Sequence, residues 1–518
     1  MRLWQRCLRE CVMCALDRLH KSFSLSTLGH RLRSVPMFLV LVPFVAGILI
    51  AENYALPLMM VAVLFVLMIA VAAWTLPRKM AWGYVAMAIM LCGYLLAELR
   101  APTSSVPYDE TVEMVVGVES VPSERDDYSV ADGRVDRWYD GEQWHDADCR
   151  VVLWLRVDSI LHGDRLTIAG KLSDGISRHA DYNALMHRRG FVGGVGISDH
   201  NILSIRHVEP TDMQSLAIRK LDSHATDSAS HATVVAMVAG ARRDMPKELR
   251  AAYSATGLSH LMAVSGLHLG IVLMVVGLLF VPLYFVHGGH RLATLLCIVA
   301  IWIYAIMSGA SPSVVRAAIM FSVLLFARVI SANYNSVNVL AATVFAMLVY
   351  RPGYLFDVSF QLSVAAVFGI IVWCAPLVRG VRLWSRRTMR FAAPFIVGAV
   401  ATLWTLPIVS HTFGNLPIVG VVLTPCVLLF SYAIVVGGLF AVVLPVALAL
   451  PFAAVAEWAA GVQNSIVIWA AELPFASVEY AMSGWGVAVC YVTYAAITLL
   501  YWSKNQKKVV TLPRHDYD

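Results

Sequence analysis

Residues 55–75 read ALPLMMVAVLFVLMIAVAAWT, an apolar run that contains no charged residue. A helix needs about 20 residues to cross the hydrocarbon core of a bilayer, so this run is long enough for one crossing. The run at 418–450 has room for two crossings, and 453–471 fits either a span or an interfacial helix. We therefore expect a polytopic α-helical membrane protein with about ten to twelve spans. The other candidate spans are 36–53, 80–97, 260–286, 292–309, 313–330, 336–350, 358–377, 391–410 and 484–502.

Composition and charge agree with a membrane protein of defined orientation. The chain is 59% hydrophobic and 14% charged, whereas soluble domains carry about 25% charged residues. The basic segment 1–35 predicts a cytoplasmic N-terminus and does not resemble a cleavable signal peptide. Three helices within 36–98 then place the acidic segment that follows on the opposite face of the membrane. The basic tail 503–518 predicts a cytoplasmic C-terminus.

Residues 99–210 interrupt the membrane pattern and favour a small exported β domain. Val115–Val121, Val151–Val157 and Arg165–Leu172 are β-prone runs, and Asp132-Gly133 and Asp140-Gly141 are typical hairpin-turn dipeptides. Several short strands at regular spacing predict an inserted all-β barrel of OB type.

Aromatic residues of this domain suggest a binding role, because OB barrels often stack bases on aromatic side chains. Trp138, Tyr139 and Trp144 are the candidates for DNA contact, with packing of the barrel or its rim as the alternative. Cys149 is the only cysteine of the domain and has no intradomain disulfide partner.

Residues 211–256 form a helical linker. Ala232–Ala241 is apolar but too short to span, so it is either re-entrant or on the surface. Arg242 and Arg243 follow it, and they are either solvated charges or part of an entrance that attracts phosphates.

The most distinctive polar segment is 257–270, GLSHLMAVSGLHLG, at the start of an apolar run. On a straight helix, His260, Ser265 and His268 fall within an arc of about 140° and form one polar face. Ionisable groups at membrane depth usually face a bundle interior or an aqueous path. Gly266 permits close helix approach or a break.

Three later segments repeat this pattern of polar residues inside apolar runs. Ser311 fits an N-cap before Pro312, and Arg316 follows one turn inside the helix, where it either snorkels to the interface or points into a polar conduit. Asp357 is either a helix cap or a functional residue. Pro407 predicts a kinked or broken helix. The remaining polar positions of these segments are Ser359, Gln361 and Ser363.

These segments, in this order, resemble the ComEC family of competence proteins. The stretch 257–268 carries most of the resemblance, and Asp181-Tyr182 with Arg188-Arg189-Gly190-Phe191 resembles the end of the family's exported OB-like domain. The resemblance implies that 257–502 is a channel domain in the bacterial inner membrane, which translocates single-stranded DNA during natural transformation without a cofactor. It also implies a DNA-binding receptor outside, and a helicase-like ATPase or single-strand-binding protein in the cytoplasm.

Two departures from the family pattern qualify these expectations. No His-x-His-x-Asp-His cluster of the metallo-β-lactamase-like domain occurs, so the sequence predicts no metal site and no enzyme activity, and a separate nuclease would degrade the other strand. Gly420 stands where the family pattern ending at Pro425 has asparagine.

Two other functions fit the residues. An intramembrane serine hydrolase would use Ser265 as nucleophile and His268 or His260 as base. A transporter of a small solute or envelope precursor would use the same polar path. The sequence has no Gly-x-x-x-x-Gly-Lys-Ser/Thr motif, so energy would come from a partner or a gradient.

Overall fold

The structure is a computed structural model. The basic segment 1–35 and most of the tail, residues 506–518, lie outside the described residues, so the charge-based orientation stays a prediction. The described residues are 36–505 apart from 76–80, 121, 125–127, 158–159, 161, 178–179, 209–211, 243–244, 263, 330–334, 375–376, 378–385, 417 and 475.

Three apolar helices open the described part of the chain: α1 (Pro36–Asn53), α2 (Leu58–Thr75) and α3 (Ala81–Leu99). Helices α1 and α3 pack backbone against backbone through two glycines. A Cβ on Gly47 would lie 1.9 Å from the Met90 carbonyl oxygen, and a Cβ on Gly93 would lie 2.3 Å from that of Phe44. Small residues at such positions are a common means of helix association in membranes.

The inserted domain is a closed β barrel. Five strands close in the order β1-β3-β4-β6-β5 and back to β1, with β4 and β6 parallel and the other pairs antiparallel. The interior is apolar, so the predicted OB-like barrel is confirmed as a small β barrel. Its elements are β1 (Thr111–Val118), β2 (Ser123–Glu124), β3 (Ser129–Tyr139), β4 (Trp144–Leu155), β5 (Arg165–Ser173), α4 (Ala180–Arg188), β6 (Phe191–Ile197) and β7 (Ile202–Arg206).

One of the two predicted hairpin turns is wrong. Asp132-Gly133 lies within β3, where Gly133 is needed because a Cβ there would lie 2.5 Å from the Leu153 side chain. Asp140-Gly141 is the turn between β3 and β4, and the Asp140 carboxylate accepts the backbone N–H groups of Glu142 and Gln143 at 2.7 and 2.8 Å. The Gln143 amide, then the His145 ring and the Glu142 amide lower the pKa of Asp140 to about 2.

The linker contains a helical hairpin rather than a surface segment. Gln214 Nε2 donates to the Ala239 carbonyl oxygen at 2.8 Å, which joins the start of α5 to the end of α6. The apolar face of α6 is buried against later helices, so the surface alternative for Ala232–Ala241 is wrong. The linker helices are α5 (Met213–Asp222), α6 (Ser228–Val238), α7 (Lys247–Ala255) and α8 (Ser259–Met262).

The remaining helices complete a polytopic membrane protein. Among the described residues, eight helices are long and apolar enough to cross a membrane, and five more apolar helices are shorter. Residues 446–471 are one candidate span, and 418–443 is a single helix rather than two. The predicted total of ten to twelve spans stays a prediction. These helices are α9 (Gly266–Leu279), α10 (Gly289–Met307), α11 (Pro312–Val329), α12 (Ser336–Tyr350), α13 (Val358–Gly369), α14 (Arg386–Phe413), α15 (Ile418–Val443), α16 (Val446–Ala471) and α17 (Gly484–Asn505).

Candidate functional site

The segment 257–270 is a broken helix. The one-turn helix α8 ends at Met262 and α9 begins at Gly266, and the described residues between them, Val264 and Ser265, are not helical. The expected single polar face on a straight helix is therefore wrong, because the helix stops before Ser265. Gly257 begins the segment with φ of +73°, a conformation that glycine adopts without strain.

The break separates the environments of the two histidines. The His268 side chain is fully buried, and its Nδ1 accepts the backbone N–H of Ser265 at 3.0 Å. His268 is therefore held at the first turn of α9, where backbone donors need partners. Because Nδ1 accepts this amide, it is not the nitrogen that takes the Ser265 hydroxyl proton in a hydrolase.

His260 is exposed, and its Nδ1 donates to the Gly257 carbonyl oxygen at 3.0 Å. Its Nε2 edge is thus directed away from the local backbone. Arg242, a predicted DNA contact, is also exposed, and its Nε donates to the Met262 carbonyl oxygen at 3.1 Å at the end of α8. Arg243 lies outside the described residues.

Arg316 is a buried cation on α11. Only 3% of the residue is exposed. Its Nη2 donates to the Ser359 carbonyl oxygen at 2.8 Å and lies 3.3 Å from the Ser359 hydroxyl, and the guanidinium carbon lies 5.5 Å from the Phe360 ring centre. Its Nε and Nη1 have no hydrogen-bond partner among the described residues. Each unsatisfied donor costs about 1–3 kcal/mol when buried, and more when charged.

Asp357, two residues before the Ser359 that Arg316 contacts, connects the membrane helices to the barrel. Its carboxylate caps α13 by accepting the Phe360 N–H at 3.2 Å. The same carboxylate pairs with the Arg189 guanidinium of the barrel at 2.8 Å. The predicted helix cap is therefore confirmed for Asp357, and the same carboxylate also pairs with the barrel.

Arg188 and Arg189 were not among the predicted site residues, although they lie in the quoted Arg188-Arg189-Gly190-Phe191 segment. Arg188 pairs with Glu52 at the end of α1 at 2.5 Å and stacks on the Phe356 ring at 4.5 Å. A Cβ on Gly353 would lie 1.9 Å from the Arg188 carbonyl oxygen. The barrel is thus in close contact with the segment that leads into α13.

The other predicted polar residues lie near the same helix starts. Helix α11 begins at Pro312 as predicted. The predicted side-chain N-cap at Ser311 is wrong, because its hydroxyl is buried without a hydrogen-bond partner among the described residues. A Cβ on Gly266 would approach Ala317 to 3.3 Å, so α9 and α11 are close there. Gln361 Nε2 donates to the Leu355 carbonyl oxygen at 2.9 Å. Ser363 is half-buried on α13.

Pro407 does not break its helix. Helix α14 continues through Pro407 to Phe413. Proline has no N–H to donate to the carbonyl four residues earlier, which is that of Leu403. The Tyr494 hydroxyl of α17 donates to that carbonyl oxygen at 3.1 Å. Pro407 therefore leaves the Leu403 carbonyl oxygen free to accept a hydrogen bond from the neighbouring helix.

The barrel aromatics lie at the tip of the β3–β4 hairpin. Trp138 stacks on His145 with ring centres 5.0 Å apart and packs on the barrel core. Tyr139 lies 5.4 Å from Trp144, which is 45% exposed. Packing therefore accounts for Trp138, and contact with DNA stays a prediction for all three.

Comparison with known proteins gives the family to which this arrangement belongs. The family model described as "Competence protein" matches residues 237–505. The chain belongs to the competence protein family. The matched residues include the broken helix, Arg316, Asp357 and Pro407, which confirms the family resemblance drawn from the sequence.

Individual relatives are distant and align over part of their length. ComE operon protein 3 of Bacillus subtilis is 27% identical over 276 residues, which are 52% of this chain and 34% of that protein. Recombination protein 2 of Haemophilus influenzae is 27% identical over 189 residues, 35% of this chain and 24% of that protein. An uncharacterized protein of Aquifex aeolicus is 26% identical over 230 residues, 44% of this chain and 51% of that protein. No solved structure matches.

Proposed function

We propose that this chain is a bacterial inner-membrane channel that carries single-stranded DNA into the cytoplasm during natural transformation. Membership of the competence protein family supports a role in DNA uptake. In the proposed orientation, the N-terminus is cytoplasmic and the barrel lies on the exterior side. A DNA receptor outside and a helicase-like ATPase or single-strand-binding protein inside would complete the route. A separate nuclease would degrade the other strand, and the chain itself would not act as an enzyme.

The observation that carries this proposal is the environment of Arg316. Its buried guanidinium has two nitrogens without protein acceptors among the described residues. A guanidinium binds phosphate oxygens through such N–H groups in a fixed planar geometry. A passing phosphate would supply the missing acceptors, so the cost of burying this cation is offset when the backbone of a strand is present.

The position of Arg316 also fits a route that begins at the barrel. Arg316 contacts Ser359, two residues after Asp357, and Asp357 pairs with Arg189 of the barrel. A strand that leaves the barrel at this contact would therefore meet Arg316 at the first turn of α11. His260, exposed after the glycine turn, is a second proposed contact along the route.

The test is entry of fluorescent single-stranded DNA into the cytoplasm of cells that produce variants at equal membrane abundance. Arg316→Ala should abolish entry while DNA capture outside the membrane persists. Arg316→Lys should restore little, because an ammonium group lacks the planar donors. Arg137→Ala, at an exposed barrel position, is the matched control, and cells that produce it should take up DNA at the parent level.

The outcome separates the competing functions. Normal DNA entry in an Arg316→Ala, His260→Ala double variant would refute the assignment of these residues to the path. Labelling of Ser265 by a fluorophosphonate probe would favour the hydrolase, and loss of uptake of a small solute with intact DNA entry would favour the transporter.

A further inference from the structure

A second polar cluster lies at the tip of the α5–α6 hairpin, away from Arg316. A hydrogen bond between Gln214 and Ala239 joins the start of α5 to the end of α6. Residues 223–227, which connect the two helices at the opposite end, form the tip of the hairpin. The tip contacts α16: the Thr226 backbone N–H lies 3.2 Å from one Glu457 carboxylate oxygen and 3.3 Å from the other, and the Thr226 hydroxyl also donates to this carboxylate.

Glu457 lies near the middle of a candidate membrane span. Helix α16 has 26 residues, from Val446 to Ala471. At 1.5 Å per residue, Glu457 is about 16 Å from the first residue and about 21 Å from the last. An ionisable side chain at this depth is costly, and such residues usually mark ion or proton pathways.

His231 bridges this buried carboxylate to a more exposed one. Its Nδ1 lies 3.1 Å from a Glu457 carboxylate oxygen, and its Nε2 lies 2.9 Å from one of Asp222. The exposed fraction of the side chains falls along the chain of contacts, from 56% for Asp222 to 14% for His231 and 7% for Glu457. The cluster therefore connects an accessible end to a buried end.

The chemistry of this contact chain requires a shared proton. An ionised carboxylate can accept hydrogen bonds but cannot donate them. Both ring nitrogens of His231 therefore carry hydrogen if Asp222 and Glu457 are both charged. If the ring is neutral, one of the two carboxyl groups must carry the proton instead. In both cases a proton lies between groups that can exchange it, and one further proton neutralises the cluster.

No other charged side chain on α15 or α16 is available to pair with His231 in place of Glu457. Helix α15 has no charged residue, and α16 has none besides Glu457. The Asp227 carboxylate is used to cap α6. The remaining titratable groups on the elements packed around α6 are Arg219, Lys220, His224, Lys247, Glu248, Arg250, Tyr253, His260, Cys426 and Tyr432.

An open cavity of about 610 Å³ reaches this cluster. It is lined by polar groups of the hairpin tip and by one face of α16, including Asp227, Ser230, Glu457 and Ser465. The rest of the lining is largely apolar, but these polar groups can hydrogen-bond water in the cavity. Water in the cavity would give the proton of Glu457 a route to exchange.

We propose that Asp222, His231 and Glu457 form a proton-binding site in the membrane domain, and that its protonation and deprotonation are steps of the transport cycle. When the site gains a proton, the cluster of Asp222, His231 and Glu457 loses its net negative charge. The link to transport rests on the proposed function, whereas the proton site does not.

The proton site is tested by infrared difference spectra of the purified full-length chain between about pH 8 and pH 5, a range that brackets the charge change of an unperturbed histidine side chain. Glu457→Gln should remove one carboxyl band. The control variant Glu472→Gln, at an exposed position at the end of the same helix, should retain that band. His231→Gln should shift that band. A spectrum unchanged by both Glu457→Gln and His231→Gln would overturn the site.

The transport step is tested by transformation at equal membrane abundance. Glu457→Gln, which keeps an acceptor for Thr226 but does not titrate, should lower transformation about tenfold or more, equivalent to 1.4 kcal/mol. Glu457→Asp should recover part of the loss. Parent-level transformation by Glu457→Gln would overturn the coupling, even if Arg316→Ala still blocks DNA entry and the channel proposal stands.

Discussion

The contact between the barrel and the membrane helices depends on a half-buried ion pair that can be measured. The Arg189 side chain is 43% exposed and that of Asp357 is 7% exposed, with 2.8 Å between the charged atoms. Exposed pairs contribute about 0–1 kcal/mol, whereas breaking a fully buried pair costs about 3–5 kcal/mol. With one partner partly in water, we expect a coupling free energy of about 1 kcal/mol.

Two substitutions at Asp357 separate its charge from its cap. Asparagine is as good an N-cap as aspartate, so Asp357→Asn removes the ion pair and keeps the cap. Asp357→Ala removes both and should cost about 1 kcal/mol more. Arg189→Gln removes the pair from the other side, and the double variant with Asp357→Asn completes a double-mutant cycle.

The assay is thermal unfolding of the full-length chain in detergent, followed by tryptophan fluorescence. A coupling of about 1 kcal/mol corresponds to about 2–4 °C for a unit of 150–250 residues. Each single variant should show this decrease, and the double variant should decrease no further. Additive shifts would refute the pairing. The same cycle on Arg137 and Asp146, whose side chains are 62% and 88% exposed, should give a coupling close to zero.

Three further predictions follow from single contacts. Gly353→Ala should destabilise the barrel contact by about 1–3 kcal/mol through overpacking, whereas Gly398→Ala, with open space around it, should not; an equal effect on unfolding temperature would contradict this. Tyr494→Phe should cost about 1 kcal/mol of unfolding free energy, and less in a Pro407→Ala background, where the helix regains its own donor. Burial raises the pKa of the Cys149 thiol to about 11, so in a variant with only this cysteine, labelling by maleimide at pH 8 should be slow until the chain is denatured; fast labelling of the folded chain would contradict the burial.

The class of protein and the barrel could be predicted because both depend on local patterns. Long apolar runs predict spans without any knowledge of packing. The Asp140-Gly141 turn and the start of α11 at Pro312 were correct for the same reason, since turn and cap chemistry act within a few residues. The turn predicted at Asp132-Gly133 was wrong because Gly133 is required by its close contact with Leu153 on the neighbouring strand, which the local sequence does not reveal.

The arrangement of the candidate site could not be predicted in the same way. The pairing of Arg189 with Asp357 joins residues 168 positions apart, and no local pattern specifies it. The single polar face was wrong because helical periodicity was extended through 257–270, although a break was one of the two alternatives considered at Gly266. Because the helix is broken there, the buried His268 ring accepts a hydrogen bond from the Ser265 backbone N–H and does not share a helix face with His260.

The lengths of the helices indicate where a hydrated path would run. Helix α9 has 14 residues and is about 21 Å long, less than the bilayer core of about 30 Å. Non-helical backbone at membrane depth is tolerated only where it is buried in protein or lines a water-filled cavity. Helices α9 and α13 begin at or near His268 and Asp357, and Arg316 lies on the adjacent helix α11. The acidic residues of α1 and α3, Glu52 and Glu98, instead lie at the ends of those helices. We therefore expect the path to run between α9, α11 and α13, with α1 to α3 as its support towards lipid.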